Sequence, residues 1–289
     1  MRLTARVPAT AANLGPGFDC LALALDLLNE VAIDTEAQPR FSVGGEGHEE
    51  LPAGEENLIA RSMAHVARSL GRELPPMAVS CTNRIPIERG LGSSAAAVVA
   101  GVVLADRLLG AASSPDELLA LAIEIEGHPD NVAGALRGGL VLAYRGAGGW
   151  RAESLVPAPD LRPAVLVPLD VRLPTTDARR VLPDEVRLED AAFNAGRAAL
   201  AVVALTGRTD LLGEALEDRL HQPTRLPLVP HVRAVFDDLR AGGVPVCMSG
   251  AGPSLLAFEA GTVGVPDPGP GWSVLRLAPR VGGAEILEA

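Results

Sequence analysis

Residues able to hold phosphate are the first chemical feature of this chain. Gly90-Leu91-Gly92-Ser93-Ser94 is followed by a run of Ala and Val with no polar face until Asp106. A glycine-rich loop feeding the first turn of a buried helix presents free N–H groups at the positive end of the helix dipole, a ready anion site. Ser93 or Ser94 can cap that helix or offer a hydroxyl to a metal. An ordinary loop capping a core helix has the same composition, so the loop alone does not decide. Ser114-Pro115-Asp116-Glu117 predicts a helix running to about Glu126, with a Ser cap, Pro at the first position and Glu at the third. Glu124 and Glu126 then fall in its last turn, where each opposes the dipole by roughly 0.3–1 kcal/mol. An arginine or a divalent metal would compensate. Asn13 and Asp19, in a loop of turn formers within Ala9–Asp19, can both face a ligand's ammonium or hydroxyl groups. His128 and Asp130 form either a catalytic pair or part of a plain polar loop.

What is missing narrows the chemistry. The chain has 25 Lys and Arg residues, and every one is arginine. A Gly-Lys-Ser/Thr P-loop and a Schiff-base lysine are therefore excluded. A formal charge of −11 argues against nucleic-acid and anionic-membrane partners. Without a spanning apolar run or a signal-peptide core, a cytoplasmic protein is expected. Cys20, Cys81 and Cys247 are too scattered for a disulfide framework or a metal motif and read as buried hydrophobes.

The elements that must position these residues follow from periodicity and punctuation. Strands are expected over Arg2–Pro8, Leu21–Leu28 with Glu30–Thr35, Phe41–Gly47, Met77–Thr82, Gly138–Tyr144, Pro163–Val171, Val244–Met248, on to Phe258, and Trp272–Ala278. Helices are expected from Asn57 to Leu70, after the glycine loop, from Ser114 to Glu126, and over Leu188–Leu205, Thr209–Leu220 and Pro230–Ala241. Gly127–Val132 and Gln222–Arg225 read as loops, and Pro174–Arg180 as a short turn or helix. Gly261–Gly271 holds too much Gly and Pro for a helix. The Gly- and Pro-rich stretch 146–160 sets a boundary between domains at 1–150 and 151–289.

Three loops in order, V-P-A-T-A-A-N-L-G-P-G-F-D, P-I-E-R-G-L-G-S-S-A-A-A and S-G-A-G-P-S, resemble the three motifs of the GHMP small-molecule kinases. Within that superfamily the first loop, E-G-H-P-D-N-V-A, T-T-D-A-R and H-Q-P-T-R look like the homoserine kinases, over nearly the whole chain. The resemblance implies an α+β fold: an N-terminal α/β domain with a left-handed βαβ crossover and a ferredoxin-like C-terminal domain. It also implies transfer of a phosphoryl group from ATP with Mg2+ to L-homoserine, in threonine biosynthesis, and leaves a homodimer open. Carried over by residue, Arg89, Gly90, Leu91, Gly92, Ser93, Ser94 and Ala95 would hold the phosphates, and Asn57 would contact adenine. Ser94 and Glu126 match the magnesium side. Asn13 and Asp19 match the ammonium site, Arg179 and Arg225 the carboxylate clamp, Thr175 the same substrate pocket and Asn131 the reacting hydroxyl. Asn is no base at neutral pH, so catalysis by orientation and electrostatics is expected.

The chain departs from the family pattern at Glu88, Gly134, Thr224 and the 261–271 segment. Glu88 puts a carboxylate beside the phosphate loop and supports one competing reading, a nucleotide-binding regulatory protein. A GHMP kinase acting on another alcohol is a second. A dinucleotide oxidoreductase is disfavoured, because neither glycine loop reads G-x-G-x-x-G after a first strand.

Overall fold

The computed structural model describes residues 1–259 and 263–288. Strand β1 (Arg2–Ala12) alternates at its start, burying Leu3, Ala5 and Val7, and is buried on both faces after a register shift at Pro8/Ala9. It pairs antiparallel with β2 (Leu21–Asp34), and β2 pairs with β4 (Ala78–Asn83) and β5 (Leu140–Gly146). Strand β3 (Arg40–Gly45) lies parallel to β4, the two joined through α1 (Leu58–Ser69). Helix α1 is amphipathic, burying Ile59, Met63 and Val66, and Asn57 caps it by accepting from the Ile59 N–H at 3.0 Å. Helix α2 (Ser93–Leu109) is wrapped by β1, α1 and α3 (Pro115–Glu126), which explains its missing polar face. Burial of Val98, Val99, Val102 and Leu104 contributes roughly 2 kcal/mol apiece. That outweighs the cost of holding the turn before it in left-handed backbone.

The loop expected over Gly127–Val132 is helical from Pro129, where helix α4 (Pro129–Arg137) begins. Its nine residues are too few for a readable period, and Gly134 lowers its propensity. Gly134 has a packing reason, since a Cβ there would lie 3.0 Å from Thr10 Cγ2 and 3.1 Å from Ala22 Cβ. The missing side chain lets α4 settle on the sheet.

In the second lobe, β7 (Arg162–Pro168), β8 (Val246–Met248), β9 (Leu255–Glu259) and β10 (Trp272–Arg276) form an antiparallel sheet ordered β10-β7-β9-β8. That is the strand order 4-1-3-2 of a ferredoxin-like sheet. Helices α5 (Thr175–Arg180), α6 (Leu188–Thr206), α7 (Leu212–Ala215) and α8 (Gln222–Arg225) follow β7, and α9 (Pro230–Ala241) leads to β8. Gln222–Arg225 is thus one helical turn rather than a loop, and the helix expected over 209–220 is a 3-10 turn at Thr209–Leu211 followed by α7. Residues 263–271 carry no helix; Gly261 and Thr262 lie outside the described residues. The sheets do not divide at residue 150. Strand β6 (Gly149–Leu155), in the expected linker, pairs with β5, and β11 (Glu285–Glu288) returns to pair with β1.

Candidate active site

The site is built by stitching the three loops together. The Gly250 N–H donates to Ala12 O at 3.0 Å, and Asn13 Nδ2 donates to Gly250 O at 2.8 Å. Ser249 Oγ donates to Gly90 O at 2.6 Å, and the Thr10 N–H to Leu91 O at 3.1 Å. Gly90 has φ +72°, and a Cβ on it would stand 2.2 Å from Ser249 O, so only glycine fits between the two glycine loops. Gly92, at φ +70°, is the N-cap of α2, and neither serine caps it. The Ser93, Ser94 and Ala95 amides are those that a helix start leaves free.

Ser94 Oγ instead donates to Glu126 Oε2 at 2.7 Å. Burial raises the Glu126 pKa, with the Ser94 bond and then the Arg179 charge opposing it, and burial prevails. Glu124 points the other way and meets His65 at 3.0 Å on an exposed face. Arg179 acts on Glu126 through its charge alone, with no arginine in ion-pair contact among the described residues; Glu126 and Ser94 offer hard oxygen atoms, the chemistry that suits a magnesium ion shared with phosphates. Among the described residues no cluster of three or more His, Cys, Asp or Glu could hold a metal ion.

A cavity of about 360 Å³ extends from this pair and is lined by Asn13, Asp130, Asn131, Thr175, Arg179 and Arg225, among others. Arg179, at the end of α5, grips Asp19 bidentately at 2.6 and 3.1 Å. Burial works against the Arg179 charge, but the Asp19 bonds outweigh it and its pKa rises. Arg225 is 1% exposed. Its Nε donates to Ala178 O at 3.1 Å and its Nη1 to His221 Nδ1 at 3.2 Å. The other ring nitrogen of His221, Nε2–H, donates to Gly15 O at 2.8 Å, which sets a neutral tautomer. Burial, helped by Arg179, lowers the Arg225 pKa to about 10, so it stays cationic at neutral pH. Asn131 Oδ1 accepts from Thr10 Oγ1 at 2.8 Å, which leaves the amide N–H groups for the cavity.

Some expected residues play structural parts here. Asn13 is spent on loop contacts, accepting also from the Asp19 N–H at 3.0 Å. Asn57 caps α1 and donates to Pro52 O at 2.8 Å while lining a second cavity, of about 400 Å³, beside the glycine turn. The Arg89 side chain turns from the phosphate loop to donate to the Leu169 and Val171 carbonyls. His128 and Asp130 form no pair: His128 Nδ1 is 3.9 Å from Glu126 Oε1 and without a hydrogen bond, and burial, then Arg179, lowers its pKa to about 4. Asp130, 3% exposed, is raised to about 7 by burial and then by Asp19.

Sequence reasoning missed Thr10 and Asp218. Thr10 is a hydroxyl inside the apolar run Val7–Ala12, a polar residue at a core position, and that was its signal. Asp218 accepts from the Leu220, His221 and Gln222 N–H groups at 2.7–3.0 Å and so holds α8, with Arg225, in place. It carries no local signal.

Comparison with known proteins agrees with this geometry. The models for the GHMP kinases N-terminal and C-terminal domains match residues 57–139 and 198–259. The chain is 47% identical to a homoserine kinase of Streptomyces avermitilis over 98% of its length and 94% of the relative's. It is 45% identical to a homoserine kinase of Moorella thermoacetica, covering 89% and 87%. The crystal structure of homoserine kinase from Cytophaga hutchinsonii superimposes with a TM-score of 0.82 at 28% identity, over 99% of this chain and 97% of that one. With its three stitched loops and two-lobed fold, the chain belongs to the homoserine kinase family of the GHMP kinases.

Proposed function

We propose that the protein transfers the γ-phosphoryl group of MgATP to the side-chain hydroxyl of L-homoserine. The observation that carries this reading is the charge layout of the 360 Å³ cavity, which Arg179 and Arg225 line beside the glycine turn, with Asp19 bonded to Arg179 behind them. An amino-acid zwitterion matches it: the ammonium exchanges into the Asp19 side of the ion pair and the carboxylate into the arginine side. Arginine suits this because its planar fork pairs bidentately with a carboxylate. The free amides of Ser93 to Ala95 face the phosphates, and the 400 Å³ cavity beside Asn57 is left for the base. Mg2+, held by Ser94 and Glu126 together with phosphate oxygens, would neutralise charge on the transferring group.

Asn131, anchored through Thr10, orients the attacking hydroxyl. Its amide is not a base, so rate enhancement comes from alignment and electrostatic stabilisation, the main demands of a loose phosphoryl transition state. Release of ADP from MgATP, measured with L-homoserine against L-threonine, L-serine, mevalonate and galactose, tests the assignment. Turnover confined to L-homoserine is expected. Faster turnover with mevalonate or galactose would move the substrate, and nucleotide binding without turnover on any alcohol would favour the regulatory reading.

A further inference from the structure

Glu88 is the residue that the kinase reading leaves unexplained. It adjoins the phosphate loop, its backbone has φ +53°, and it lines both cavities. Together with Glu50 and Glu56 it gives the nucleotide cavity three carboxylates, a poor lining for a polyanion. Arg89, its neighbour, acts on Glu50 and Glu88 through its charge but pairs with neither, because its guanidinium donates to the Leu169 and Val171 carbonyls. One cation on that wall has replaceable partners: Arg172, in the segment between β7 and α5 of the second lobe. Arg172 grips Glu50 of the first lobe through both terminal nitrogens, Nη2 to Oε1 at 2.8 Å, and its Nη1 lies 4.0 Å from Glu88 Oε2. All three line the cavity.

Exposed pairs of this kind are worth about 0–1 kcal/mol. Arg172 is 40% exposed and Glu50 51%, so a triphosphate can outcompete Glu50 for the guanidinium. We propose that Arg172 is a nucleotide-positioning residue: it rests on Glu50 in the free protein and transfers to the phosphates of bound ATP, while Glu88 holds it at the phosphate loop. Arg172 thus supplies the phosphate-neutralising cation in a chain that has no lysine. The trio also explains why a carboxylate is tolerated beside the phosphate loop, since Glu88 aims the arginine there. This inference rests on the nucleotide occupying the glycine turn as proposed above.

Isothermal titration of the full chain with a non-hydrolysable MgATP analogue and, separately, with adenosine tests it without turnover. Arg172→Ala should weaken the analogue about 10-fold or more, the size of one lost charge-assisted bond. Adenosine affinity should stay within about twofold and the salt dependence should flatten, since a phosphate contact is lost. Glu50→Gln should act oppositely, tightening the analogue by removing its competitor. If Arg172 only ties the lobes together, Arg172→Ala and Glu50→Gln will weaken analogue and adenosine alike, and the proposal fails. Unchanged analogue binding by Arg172→Ala, with wild-type protein binding normally, overturns it too. Wild-type protein that binds neither ligand overturns the kinase reading itself and this inference with it.

Discussion

Asp19 and Arg179 stand 2.6 Å apart at their closest, and the substrate assignment can be tested on that pair. Arg179→Ala should raise the homoserine KM about 30- to 100-fold, the cost of losing a bidentate charge-assisted contact, with the ATP KM changed by no more than about threefold. Steady-state kinetics with each substrate varied in turn checks this, and equal rises in both constants would contradict a carboxylate clamp. Glu126 and Glu124 give a paired test. Glu126→Gln should lower kcat about 100-fold and raise the magnesium concentration needed for half-maximal rate. Glu124→Gln, which touches only His65 on an exposed face, should leave both within about twofold. Asp130 makes a prediction about stability. Its folded pKa of about 7 lies above its ordinary 3.8, so the folded protein binds more protons than the unfolded chain between those values. Its contribution to stability therefore falls as pH rises from about 4 to 7. Asp130→Asn keeps an acceptor for the Asn131 N–H and removes the titration. Asp19, Arg179 and Arg225, the charged groups facing it, remain in place. The variant should gain on the order of 1 kcal/mol over wild type at pH 8, and less at pH 5, in thermal melts.

At the scale of elements, the glycine turn works because α2 is immovable. A helix packed against β1, α1 and α3 cannot shift to relieve a clash at its start, so Gly90→Ala must push against Ser249 O at 2.2 Å from a left-handed backbone. Activity should drop below about 1% of wild type and the melting temperature should fall, both measurable on purified protein. Ser114→Ala is the contrasting change. It breaks the capping box at the far end of α3 and should cost about 1 kcal/mol of stability while kcat and both KM values stay within about twofold. An equal loss of activity in the two variants would mean that the site responds to global stability rather than to the turn.

At the scale of the molecule, the two lobes share one site. Gly250 bonds the first loop, Ser249 the second, and β11 closes the chain back onto the first sheet. Unfolding should therefore be a single transition. A nucleotide at 100 times its Kd should stabilise the whole by about 2.7 kcal/mol and shift that one transition upward. Two resolved transitions, with only the first moved by nucleotide, would mean that the loops do not couple the lobes.

The amino-acid sequence by itself determined the local order: the strands that frame each motif, the capped helices α1 and α3, the glycine turn, and the restriction to lysine-free phosphate binding. Each follows from interactions within a few residues, where periodicity, caps and left-handed turns are written directly in residue types. The motif resemblance reached further and named Arg179, Arg225 and Asn131, though not the state in which they stand. Tertiary structure alone decided which last-turn carboxylate faces the site, because Glu124 and Glu126 are two residues apart and so lie on different faces of α3. It also decided that Arg89 turns to backbone carbonyls, that Asp19 and Arg179 hold each other, and that Thr10, Asp218 and Arg172 matter. Most of those partners are far apart in the chain: 80 residues for Arg89 and Leu169, 121 for Thr10 and Asn131, 122 for Arg172 and Glu50, and 160 for Asp19 and Arg179. Burial and distance across two lobes, which set every shifted pKa in the pocket, exist only once the chain has closed on itself.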